Sequence, residues 1–216
     1  MLFNKFNFDL KKFTGRDNYS TREELKGIFV SPRETCATDA IQMMIVESVK
    51  GFDIKDYPTI GFKNQKSPIA NFDPFIVPIE DIDKLTKIFP NKENNVSFSL
   101  PITKNAVIIS ADKEQVEIGI NYLDGLDGVM VRPVDAKYPK YQKLIKDECN
   151  YNEVAVNPTL LKNAIEFLDK FVNEGFKKVV LKVPQDNEKP IKIIGYRNNG
   201  SNKQQKATSI IMPMTM

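Results

Sequence analysis

The sequence predicts an α+β fold built from tandem units, each a short strand, one amphipathic helix and about three further strands. Three observations predict it. A strand-like run ends in proline twice, at Val77-Pro78 and at Val156-Asn157-Pro158. Each time an apolar stripe at helical spacing follows, and alternating apolar runs come after it. The two blocks occupy roughly 75–134 and 153–212, so their starts lie nearly 80 residues apart, the self-similarity that tandem units leave in a sequence. One helix cannot cover both faces of such a sheet. The sheets are therefore expected to join edge to edge, with the helices together on one face.

Residues 1–50 read as a third block with a weak first strand. Leu2, Phe3, Phe6, Leu10 and Phe13 lie near helical spacing and predict a short helix, with a strand as the alternative. Glu24 to Val30 then reads as a strand, Ser31 to Glu34 as a turn, and Thr35 to Glu47 as two strands broken at Thr38-Asp39. Residues 50–73 carry scattered Gly and Pro and read as a long connection.

The second block opens with a strand at Phe75-Ile76-Val77. Pro78 starts a helix whose first turn holds Glu80, Asp81 and Asp83, where carboxylates favour the helix dipole. Ile79, Ile82, Leu85 and Ile88 form its apolar stripe. Strands are expected at Asn95 to Leu100, Ala106 to Ser110, Gln115 to Leu123 and Val129 to Val134, with turns at Asp124-Gly125 and Asp127-Gly128. In the third block, Glu153 to Val156 is a strand, and Asn157-Pro158 is an N-cap followed by proline at the first helical position. The helix runs from Thr159 to about Asn173, with Leu161, Ala164, Ile165, Leu168, Phe171 and Val172 as its core face, and Gly175 stops it. Strands follow at Lys178 to Val183, Ile191 to Tyr196 and Lys206 to Met212, the last two flanking a polar hairpin at 198–202.

Composition narrows the chemistry. The chain has 216 residues and is 41% hydrophobic and 27% charged, which suits one large globular domain or two small ones. No run approaches the roughly 20 apolar residues of a membrane span, and Met1 to Lys12 lacks the continuous apolar core of a signal peptide. Two cysteines, Cys36 and Cys149, suggest reduced thiols and a cytoplasmic protein rather than a disulfide framework. There is no histidine, which removes the commonest general base, the usual hydrolase triad and most zinc sites. A net charge of +3 permits contact with nucleic acid without demanding it.

The C-terminal run Ile210-Ile211-Met212-Pro213-Met214-Thr215-Met216 is unusually apolar for a chain end. Pro213 stops the last strand, and the flexible methionines beyond it suit either a packed edge or one wall of a peptide-binding surface.

Four stretches of the chain carry a resemblance. Leu25-Lys26-Gly27-Ile28-Phe29-Val30, followed by Ala37-Thr38-Asp39-Ala40-Ile41-Gln42-Met43, resembles the Ala-Thr-Asp-Gly-His-Arg-Leu strand pair of the bacterial DNA polymerase sliding clamp (β subunit) family. Ile76-Val77-Pro78, leading into a helix, resembles that family's Val-Pro-helix block. Tyr138-Pro139-Lys140-Tyr141-Gln142-Lys143-Leu144-Ile145 resembles its Phe-Pro-Asp-Tyr interdomain segment, and Ile211-Met212-Pro213-Met214 its C-terminal Met-Pro-Met. Each match is weak alone, but together they span nearly the whole chain in order. The departures are a much shorter chain, Ala40-Ile41-Gln42 in place of Gly-His-Arg, and two residues after the Met-Pro-Met.

The resemblance implies a DNA-clamp fold in a shortened clamp, of a kind that would fit a virus or mobile element. Residues 1–148 would form a clamp domain of two units, the first without a clear leading strand, and 149–216 a third unit like the C-terminal half of the family's last domain. It implies a processivity factor with no active site and no cofactor, encircling duplex DNA without reading bases and tethering a polymerase or a clamp loader through short peptides. Lumen-facing cations would be Lys11, Lys12, Lys84, Lys87, Lys162 and Lys170, although lysine on a wet helix face is ordinarily just solvated. The peptide pocket would be walled by Thr38, Ala40, Ile41, Gln42 and Met43, by Pro139, Lys143 and Leu144, and by Ile211, Met212, Pro213 and Met214. If family rings hold about twelve units, about four chains of three units would close one, through sheet edges that pair readily. Two other classes compete: a non-ring clamp paralogue that binds peptides but not DNA, and a metal-dependent nuclease built on Asp39, Glu80, Asp81 and Asp83.

Overall fold

The computed structural model describes residues 3–15, 22–49, 69, 71–89, 106–112, 114–122, 125–142, 153–172, 177–186, 188–198 and 204–214. Helices are α1 (Lys5–Phe8), α2 (Ile79–Ile88) and α3 (Pro158–Phe171). Strands are β1 (Gly27–Val30), β2 (Glu34–Thr38), β3 (Met43–Glu47), β4 (Phe75–Pro78), β5 (Ala106–Ala111), β6 (Val116–Tyr122), β7 (Gly125–Val131), β8 (Val179–Lys182), β9 (Ile191–Asn198) and β10 (Gln204–Ile211). The chain divides into two compact units, Met1–Tyr141 and Gln142–Met216.

In the first unit the antiparallel order β3-β2-β1-β4 makes one sheet and β5-β6-β7 another. The two blocks exchange their leading segments. β4 opens the second block yet pairs with β1 of the first, Ile28 facing Val77 and Val30 facing Phe75. Phe3, ahead of the first block's helix, exchanges backbone bonds of 2.9 and 2.6 Å with Ala106 at the start of β5. Gly27 makes the β1–β4 approach possible, because a Cβ there would lie 2.4 Å from the Val77 carbonyl oxygen. Period-2 alternation then sorts the first sheet's side chains. Ile28, Val30, Ala37, Phe75 and Val77 face a core shared with Ile82, Leu85, Ile108, Ile118 and Val131, so one apolar interior joins both sheets and α2. Phe29, Cys36 and Ile76 face the opposite side and pack against Tyr138 and Tyr141. Asn7 pins α1 to the hairpin, its buried amide donating to Thr35 Oγ1 and to the Val46 and Glu47 carbonyls at 3.1–3.2 Å.

The second unit is one helix on one sheet, in the order β10-β9-β8. Asn157 caps α3, its side-chain oxygen accepting from Thr159 N at 2.9 Å with proline in the first turn. Ala164 and Leu168 pack on Ile191, Ile193 and Ile211. Gly195 lets the helix lie close, since a Cβ there would meet Leu168 Cδ2 at 2.9 Å. β8 is exposed along its whole length.

Several elements differ from expectation. The N-terminal helix is only one turn, followed by a 3-10 turn at Lys11–Phe13. Asp127-Gly128 is no turn, because Gly128 sits inside β7 opposite Gly119 of β6 and cross-strand pairing overrides the local signal. β7 accordingly spans Gly125–Val131 rather than 129–134. The strand expected at 153–156 is a single bridge, Ala155 to Met214. Ile165 is 41% exposed, not core, since Ala164 and Leu168 take the centre of the buried stripe. The strand expected at 95–100, Cys149 and the stop at Gly175 lie outside the described residues.

Candidate functional site

The link between β2 and β3 is a loop closed by its own side chains. The Asp39 carboxylate accepts from Ile41 N at 2.9 Å and Gln42 N at 2.8 Å, and from Gln42 Nε2 at 3.0 Å. Thr38, buried, donates through Oγ1 to the Gln42 carbonyl at 2.7 Å and accepts from Ala40 N at 3.1 Å. Gln42 Nε2 also reaches the Lys12 carbonyl at 3.2 Å. This Asx-type arrangement makes a tight loop out of side-chain acceptors. Ala40 is held at φ 74°, a left-handed conformation that costs a residue with a Cβ about 1–2 kcal/mol. The resembling family has glycine at this place. The loop thus presents Ile41, 95% exposed, on a rigid base. Burial pulls the Asp39 pKa up, but the Gln42 and Ile41 amides and the Gln42 side chain outweigh it and leave the carboxyl below its ordinary range.

An aromatic scaffold packs against β2 and β3, the strands that carry the loop. Tyr138 stacks on Phe29 with centroids 4.8 Å apart, and Tyr141 meets both rings at steep angles. Tyr138 Oη donates to the Cys36 carbonyl at 3.2 Å, and Tyr141 Oη donates to Glu34 Oε1 at 2.6 Å. Pro139 sits half-buried between these tyrosines in sequence. Burial pushes the Cys36 thiol up to about 11; the Tyr138 hydrogen bond pulls it back and Glu34 adds to the rise. The Tyr138 phenol is also raised, first by burial and then by Cys36. Tyr138, Tyr141, Phe29 and Glu34 are not among the site residues that the sequence suggests, although Tyr138 and Tyr141 lie in the stretch that resembles the Phe-Pro-Asp-Tyr segment.

In the second unit, Ile211 ends β10 buried, while Met212 is 61% and Met214 54% exposed and Pro213 is half-buried. Met214 N donates to the Ala155 carbonyl at 2.9 Å. A groove of about 580 Å³ runs between α3 and β10, and Leu160, Phe167, Ile210 and Met212 give it apolar walls. Leu160 and Phe167 are functional candidates that the core-face pattern of α3 passed over. Of the residues expected at a peptide pocket, Thr38, Ala40, Ile41, Gln42, Met43 and Pro139 belong to the first unit and Ile211 to Met214 to the second. Lys143 and Leu144 lie outside the described residues.

The lysines expected to meet DNA divide into two groups. Lys11 pairs with Asp83 at 2.6 Å, Lys84 with Asp81 at 2.5 Å and Lys162 with Glu166 at 3.7 Å. Lys12, Lys87 and Lys170 are exposed and make no ion pair among the described residues. The same pairs bear on the metal-site reading. Asp81 and Asp83 are engaged by lysines, and Asp39 by loop amides. No group of three or more His, Cys, Asp or Glu able to hold a metal occurs among the described residues.

No protein-family model matches the sequence, and no curated protein matches it. Solved structures do. The DNA polymerase III subunit beta from Pseudomonas aeruginosa is similar with a TM-score of 0.61 at 13% identity, over 100% of this chain and 51% of that one. The chain has the DNA-clamp fold. The C. crescentus beta sliding clamp gives 0.57 at 14% identity, over 99% of this chain and 50% of that one. PCNA from Thermococcus kodakaraensis gives 0.52 at 11% identity, over 97% and 72%. This clamp-fold chain spans about half the length of the bacterial clamps it resembles. No helix among its described residues is long and apolar enough to cross a membrane.

Proposed function

We propose that the protein is a sliding-clamp-like processivity factor, which encircles duplex DNA as a homo-oligomeric ring and binds short polymerase peptides. The observation that carries this reading is a clamp fold across both units whose C-terminal strand borders an exposed apolar groove. Such a groove suits a short extended peptide that inserts apolar side chains, and methionine adapts its shape to them. The peptide-binding residues are the loop set Thr38, Ala40, Ile41, Gln42 and Met43, with Pro139, Lys143 and Leu144, and the tail set Ile211, Met212, Pro213 and Met214. Lys12, Lys87 and Lys170 carry the phosphate contact, with Lys11, Lys84 and Lys162 shared with acidic partners.

Fluorescence anisotropy with a labelled polymerase-derived peptide tests the pocket. Binding is expected, and Met212→Asp should weaken it at least tenfold, about 1.4 kcal/mol. Wild-type affinity in that variant contradicts the assignment. A second reading is favoured by the ion-paired lysines: a non-ring paralogue that keeps peptide binding and has lost DNA. It predicts peptide binding with no salt-sensitive retention on circular DNA.

A further inference from the structure

β8 occupies the place in the third block that β1 occupies in the first, as the first strand of the block's own three. The two strands have opposite surroundings. β1 is buried, with β4 on one edge and α2 packed on it, and both covers come from the neighbouring block. β8 has β9 on one edge and, among the described residues, no strand on the other and no helix packed on it as α3 packs on β9 and β10. Val179, Val180 and Leu181 are all exposed, Leu181 to 57%. A bare apolar edge of this kind is a template for pairing.

The leading segment of the same block is open in the complementary way. In the second block, Ile76 stands three residues before α2, and its carbonyl accepts from Val134 N, three residues after β7. In the third block, Ala155 stands three residues before α3, and its carbonyl accepts from Met214 N, three residues after β10. The outer edge of each leading segment is therefore made the same way. The inner edge of β4 pairs with β1, whereas residues 153–156 have no such neighbour among the described residues.

We propose that the missing neighbour is a second copy of this chain, the two third blocks exchanging leading segments as the first two blocks do within one chain. Residues 153–156 of each copy add antiparallel to β8 of the other, and α3 of each covers the other's β8. The exchange is reciprocal, which is what a two-fold interface requires. Chemistry agrees. With Ala155 in the place of Ile76 and Val179–Lys182 in that of Gly27–Val30, the β4–β1 register sets Val154 of one copy opposite Lys182 of the other, Ala155 opposite Leu181 and Val156 opposite Val180, so apolar groups meet along the seam. Ile165, exposed on α3, is an apolar group available to cover Val180. This rests on the block pattern and not on the clamp function, so a stable even-numbered assembly that fails to stimulate a polymerase would leave it standing.

Sedimentation of the full chain over a micromolar concentration series tests it, with Leu181→Asp alongside. The expected mass is an even multiple of 24.6 kDa, and Leu181→Asp should halve it while keeping the wild-type far-UV spectrum, because Leu181 is exposed in the single chain. Hydrogen exchange on the unmutated protein reads the same edge without relying on the variant: amides of 179–182 should be protected in the assembly and lose at least tenfold in protection on dilution. A monomer at every concentration, an odd-numbered assembly, an assembly untouched by Leu181→Asp, or amides at 179–182 that exchange freely in the assembly would each overturn the proposal. A monomer with those amides free would point instead to a different protein as the occupant.

Discussion

The β2–β3 loop and the C-terminal tail supply the two sets of proposed peptide-binding residues, and they are built by opposite means. The loop is fastened by Asp39, Thr38 and Gln42, and the strands that carry it pack on Phe29, Tyr138 and Tyr141. The tail, past Ile211, is held in the described structure by one backbone bond, Met214 to Ala155, and leaves two methionines open to solvent. A rigid wall costs little entropy when a ligand arrives, whereas a flexible methionine wall adapts to the ligand that comes. Damage to the loop should therefore reach stability through its scaffold. Damage to the tail should reach binding alone.

The largest expected effect is on the loop side. Tyr138→Ala removes a buried ring stacked on Phe29 and should cost about 3–5 kcal/mol in urea unfolding, as aromatic truncations in cores do. A loss below about 1 kcal/mol would mean that the scaffold is not load-sharing with the sheet. Next is a pH effect centred on Cys36. Its thiol is held neutral up to about 11, against an ordinary 9.0, so its contribution is full below pH 9 and is lost as pH rises from 9 toward 11. In a Cys149→Ser background, wild type should lose about 2–3 kcal/mol across that window relative to Cys36→Ala. Equal slopes for the two would refute the burial argument. Asp39→Ala should cost about 1 kcal/mol by freeing the Ile41 and Gln42 amides. Because the Asp39 carboxyl is depressed, its support is present above the ordinary aspartate range and disappears as pH falls through the lowered value. Removing 212–216 should shift stability least, about 1 kcal/mol or less, since a single described backbone bond goes with it, while peptide binding falls at least tenfold. A deletion that unfolds the protein would make the tail core and erase the contrast.

What the sequence makes legible follows from the range of each interaction. Asn157-Pro158 announces α3 because an N-cap acts within three residues, and the structure places the Asn157 cap there. The break between β2 and β3 is legible from Thr38-Asp39 for the same reason, although it extends to Gln42. The strands after α3 were readable from alternation, which depends only on which face is buried. The long-range features were not. Tyr138 bonds to Cys36 across 102 residues, and nothing local in either says so. Phe3 pairing with Ala106 turns the start of an expected helix into a bridge, because a partner far along the chain satisfies its backbone. Asp127-Gly128 carries a strong turn signal and is a strand, since Gly128 stands against Gly119. The resemblance supplied the loop and tail residues that periodicity alone could not separate from ordinary core and edge. The apolar groove beside Met212 came only with the structure, because Leu160 and Phe167 fall outside the helix's core stripe.

Primer extension on circular single-stranded DNA, with limiting polymerase and a trap for dissociated enzyme, tests the central reading most directly. A processivity factor should lengthen products several-fold at low salt, and the gain should vanish with Met212→Asp, while Lys12→Glu with Lys170→Glu should shrink the gain already at low salt and make what remains less dependent on salt. Products of unchanged length with a protein that is folded and assembled would contradict the reading.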